Sequence, residues 1–169
     1  MRNKTKKIAL LGVLTTLALV LSYLETLLPP LSTVAPGIKI GLPNIVIVLL
    51  LYRFGVVETV VVSIMRVFIV SLMFGNVMTL AYSLVGAILS ITLMKLMMKI
   101  KLFSEVGVSV VGGISHNLGQ ILVAIFLFDT VQIGYYMIIL SITGTIAGVV
   151  VGIISSILLK KLDKILKFV

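Results

Sequence analysis

The chain of 169 residues has no cysteine. That excludes a disulfide framework, a thiolate metal site and a cysteine nucleophile. Acidic residues are scarce too: five, against fourteen lysines and arginines. No pair of aspartates has the D-D-x-x-D spacing that would hold magnesium against a diphosphate, and no Walker loop is present, so the chain cannot itself burn ATP. The single histidine, His116, has no cysteine or carboxylate at ligand spacing, so no metal site is expected. Asp129 and Asp163 fall in a loop and a tail, and no Ser/His/Asp arrangement comes together. Intrinsic catalysis and a cofactor therefore have little to stand on.

What is present is apolar. Hydrophobic residues make up 60% of the chain and charged ones 11%, with a mean hydropathy of +1.32. A soluble fold of this size must face water with part of its surface and could not hide so much apolar area. The expected class is an all-α polytopic membrane protein, one transmembrane domain over residues 1–169. About six helices are expected, near 8–28, 43–53, 56–74, 77–98, 106–128 and 135–159. The first resembles a signal peptide in its basic start, but no small-x-small cleavage site follows, and an uncleaved helix is expected. The second is short because Pro43 fits only near its start.

The net charge of +9 arises from clusters between apolar runs, without interleaved aromatics, so nucleic acid is not the expected partner. With the N-terminus inside, twelve of the fourteen basic residues fall on the inner side, and both ends come out cytoplasmic at the cell membrane. Residues 29–42 hold three of the four prolines with Gly37 and Gly41. Irregular backbone at membrane depth is tolerated only over protein or a water-filled cavity. This outer loop is therefore expected to dip inward as a lid; the plainer alternative is a loop lying in water.

A few hydrophilic residues stand inside the apolar runs. Arg66 is near mid-membrane, where an arginine costs about 2.5–3.5 kcal/mol, with no carboxylate at matching depth. It suits an anionic ligand, or else caps backbone carbonyls or snorkels to Glu25. His116, Asn117 and Gln120 share one side of the fifth helix, beside Gly112, Gly113 and Gly119. They either meet a ligand or hydrogen-bond between helices. At the outer edge Glu25, Lys39 and Asn44 complete the candidate binding set. Small residues at Gly144, Gly148 and Gly152, and at Ala9, Gly12 and Thr16, suit close helix packing or docking of a partner protein.

Several blocks carry a resemblance: Lys7-Ile8-Ala9-Leu10-Leu11-Gly12, Leu21-Ser22-Tyr23-Leu24-Glu25, residues 36–44 as PGIKIGLPN, Arg66-Val67, and residues 112–120 as GGISHNLGQ. Together they resemble the heptaprenyl diphosphate synthase component I family, also called the Gx transporter family, over essentially the whole chain. That family is similar in layout to the substrate-binding S components of energy-coupling factor (ECF) transporters. The resemblance implies a small-molecule binding or transport component in the bilayer, working with an ECF-type coupling protein and ATPases. Small residues on the first helix would then be a docking face, although a strict Ala-x-x-x-Ala is absent here. The family name implies instead a partner of a soluble polyprenyl synthase subunit in isoprenoid synthesis. A structural membrane partner without a ligand is the third reading.

Overall fold

The structure, a computed structural model, describes residues 2–27 and 41–167. Among these residues it is all-helical: α1 (Arg2–Leu27), α2 (Asn44–Arg53), α3 (Val56–Phe74), α4 (Val77–Ile100), α5 (Glu105–Phe128), a 3-10 helix (Val131–Tyr135) and α6 (Tyr136–Lys167). Most of the expected outer loop, with Lys39, lies outside the described residues.

Five helices, all but α2, are long and apolar enough to cross a membrane. Their outward faces carry bare apolar side chains, among them Val57, Leu72, Phe126 and Ile138. Exposed apolar area on this scale marks a lipid-facing surface, and the chain is a multi-pass membrane protein. The helix ends follow local chemistry. Asn76 caps α4 by accepting from the Thr79 amide at 2.9 Å. Ser104 caps α5 by accepting from Gly107. Lys101 and Asp129 close α4 and α5 in the left-handed conformation. α6 runs eight residues past the expected end at 159, because no glycine or proline after Gly152 stops it. At 32 residues it is about 48 Å long, well beyond a bilayer core.

α2 is the unusual element. Its ten residues reach only about 15 Å, half a bilayer. Every residue from Ile45 to Leu51 is buried, as expected of a helix apolar all round. It is the inner plug of the bundle, not a sixth lipid-facing span. Its place along the axis follows from its neighbours. Lys7 pairs with Glu58, so α1 and α3 begin at the same end. α2 packs with Val56, Met97, Met98, Leu158 and Leu159, which belong to that same lysine-rich end. Ser155 Oγ donates to the Ile45 carbonyl. The lysine-rich half is thereby filled with aliphatic side chains, and among the described residues the other half has no such plug.

α5 runs between α4 and α6, antiparallel to both. Ser90 Oγ on α4 donates to the Gly112 carbonyl at 2.9 Å. Gly119 lies against Gly86, where an added Cβ would come within 2.7 Å of the Gly86 Cα; Gly113 lies against Gly144, where it would come within 2.5 Å of the Gly144 carbonyl oxygen. Gly148 and Gly152 face Val110 and Val106 of α5. The α6 glycine face thus packs inside the bundle. Ala9, Gly12 and Thr16 stand on the opposite kind of surface: all three are exposed, and nothing lies within 4 Å of a Cβ built at Gly12.

Candidate functional site

Above the α2 plug, residues from all six helices surround a cavity of about 110 Å³. α1 contributes Glu25, α2 Asn44 and Val48, and α3 Arg66. α4 contributes Ser83, Ser90 and Met94, α5 the stretch from Ser109 to Gln120, and α6 Gly144 to Val151. Glu25, Asn44, Arg66, His116, Asn117 and Gln120, singled out in the sequence, all line this one space.

Arg66 is 9% exposed, and its Nε has no hydrogen-bond partner. Among the described residues the guanidinium makes neither a hydrogen bond nor an ion pair. Of the sequence expectations for Arg66, capping of backbone carbonyls is not seen among the described residues, while Glu25 lines the same cavity without forming a contact ion pair with it. Buried guanidinium groups ordinarily spend their five donors on carboxylates or carbonyls; this one faces the cavity with its Nε unspent.

On α5, three groups are held in place by their surroundings. Gln120 Nε2 and His116 Nε2 lie 3.3 Å from each other, one turn apart on α5, with donor and acceptor roles that depend on the His tautomer. Asn117 Nδ2 donates to the Leu140 carbonyl at 2.8 Å, tying α5 to α6. That bond is the interhelical role expected as the alternative to ligand contact, and Asn117 serves it while still lining the cavity. Gly86 lets α4 close on His116: a Cβ there would meet the His116 carbonyl oxygen at 2.8 Å.

Glu25 has a different environment. Its Oε1 accepts the backbone N–H of Gly41 and, at 3.4 Å, of Leu42. The carboxylate thus holds the turn that leads into α2, where Gly41 takes a positive φ of 78°. Ser83, Ser90 and Ser109 also line the cavity, and sequence reasoning did not select them as ligand contacts. The spacing of seven between Ser83 and Ser90, two turns of one α4 face, is the signal that carries two of the three.

A family model described as heptaprenyl diphosphate synthase component I matches residues 14–158, a span that includes every residue lining the cavity. No curated protein and no solved structure matches the chain.

Proposed function

The chain belongs to the heptaprenyl diphosphate synthase component I family, and we propose that it is a membrane-embedded, non-catalytic binding component for a small molecule with an anionic group. The observation that carries this reading is Arg66, buried and without an ion-pair partner among the described residues, in a cavity that all six helices line. Hydrocarbon tolerates such a cation poorly, so a bundle built around it makes physical sense if a ligand completes it. With no Walker loop in the sequence, transport would draw its energy from separate subunits, as in the S-component layout.

A second reading has one observation in its favour, the family description itself. In it the protein is the membrane subunit of a polyprenyl diphosphate synthase. Aspartate-rich catalysis would be supplied by a soluble partner, and the cavity would hold the head of a prenyl chain. A purely structural role fits less well, since such a protein has no use for an unpaired arginine beside an internal cavity.

Native mass spectrometry of the purified protein tests the binding reading. A small molecule bound to the wild type and absent from Arg66→Ala is the expected result; identical spectra for both would remove Arg66 from any binding role. Added synthase activity in a mixture with the soluble partner separates the second reading from the first.

The basic clusters support an orientation with both ends in the cytoplasm at the cell membrane. The absence of native cysteine makes this simple to check. Lys161→Cys is expected to react with an impermeant maleimide only after the cells are opened, and Asp129→Cys in intact cells. The reverse pattern would invert the topology.

A further inference from the structure

Two opposite charges share the cavity without touching. Arg66 makes no contact ion pair among the described residues, and Glu25 is the carboxylate that lines the same cavity. Attraction between unit charges grows steeply as water is excluded, so a free carboxylate in this space would close onto the guanidinium. Glu25 does not, because the Gly41 and Leu42 amides hold it aside. The result is a fixed, separated pair: the two amides meet Glu25 on Oε1 alone, and the Arg66 Nε has no hydrogen-bond partner.

The complement of such a pair is a molecule with both signs. A dianion such as phosphate would be matched by Arg66 once and then face the Glu25 carboxylate. Among the described lining residues the only other titratable group is His116, whose Nε2 is already engaged with Gln120. We infer that the ligand is a compact zwitterion, with a carboxylate or other monoanion against Arg66 and an ammonium or protonated ring nitrogen against Glu25. This rests on the reading of the cavity as a binding site and deepens it by fixing the ligand class. The size agrees: 110 Å³ corresponds to roughly ten water positions or fewer at about 10–15 Å³ each, enough for a few heavy atoms between the two charges.

The test uses full-length protein in nanodiscs and a series of straight-chain ω-amino acids from glycine to δ-aminovalerate. The carboxylic acid and the amine of equal length serve as comparisons, with inorganic phosphate and diphosphate alongside. At one chain length the zwitterion is expected to bind at least about tenfold more tightly than either comparison, the usual scale for one hydrogen bond to a charged group. Glu25→Gln keeps an acceptor for the Gly41 amide and removes the charge. It is expected to bring that zwitterion down to the level of its plain acid. Equal binding of acid and zwitterion at every length, or an unchanged preference in Glu25→Gln, overturns the inference while leaving an Arg66 anion site standing. So does binding of phosphate or diphosphate alone. Probe binding that survives Arg66→Ala overturns the site reading itself, and failure of every probe to bind the wild type overturns both.

Discussion

Replacing Arg66 with methionine is expected to stabilise the empty protein and to abolish ligand binding at the same time. In most proteins the loss of a buried charged residue destabilises, because its partner is left stranded. Here the guanidinium is 9% exposed with an unpartnered Nε, so there is no contact ion pair to break. Methionine is unbranched and apolar, and it fills irregular interior space well. Replacement of a whole buried ion pair by apolar residues is often neutral or gains about 1–4 kcal/mol; for Arg66 alone a gain at the low end of that range is expected, since Glu25 loses an attractive field. The measurement is thermal unfolding of wild type and Arg66→Met in one detergent, with and without the molecule found by mass spectrometry. Ligand should raise the midpoint of the wild type and leave the variant unmoved. Arg66→Lys should fall between the two, keeping the charge but losing the planar fork. A melting point for Arg66→Met well below that of the wild type would mean that Arg66 is a structural tie, and the binding reading would lose its main support.

The same residue shows why so much of the site was legible in the sequence. Hydrocarbon will not solvate a guanidinium, an imidazole or an amide. Arg66, His116, Asn117 and Gln120 had therefore to face the interior, and they converge on one cavity with Glu25 and Asn44 from the outer edge. Serine gives no such compulsion, because its hydroxyl can bond the carbonyl one turn back, as Ser22 does to Ala18. Nothing local distinguishes it from Ser90, which reaches across to Gly112. The brevity of helix two was visible in the position of Pro43, but its depth was not. That depth depends on long-range contacts such as Ser155 to Ile45, and it leaves the cavity among the described residues beside the start of α2. The glycines of α6 were equally ambiguous. A spacing of four defines a smooth face, and only the structure shows that α5 occupies it, whereas the small face of α1 at Ala9, Gly12 and Thr16 is left uncovered.

That contrast between covered and uncovered glycines yields the other large effect. Gly119→Ala is expected to destabilise the protein and to lose most of its ligand, although alanine adds a single methyl. The obstacle is backbone: a Cβ at Gly119 would lie 2.7 Å from the Gly86 Cα and 2.9 Å from its nitrogen. No side chain can rotate away, so α4 and α5 must separate. Forcing an extra carbon into a packed interior usually costs about 1–3 kcal/mol. Glycine is also the poorer helix former by about 0.8–1.0 kcal/mol, which offsets part of that loss. Binding should suffer more than stability, because His116, Asn117 and Gln120 lie on α5 just before or after Gly119 and move with it. Gly12→Ala is the matching control. It gains the same helix propensity with nothing within 4 Å, so its midpoint should stay level or rise and its ligand occupancy should be unchanged. Equal behaviour of the two variants would show that the close approach of α4 to α5 does not hold the cavity in shape. A fall in Gly119→Ala alone ties the cavity wall to one backbone contact that only glycine permits.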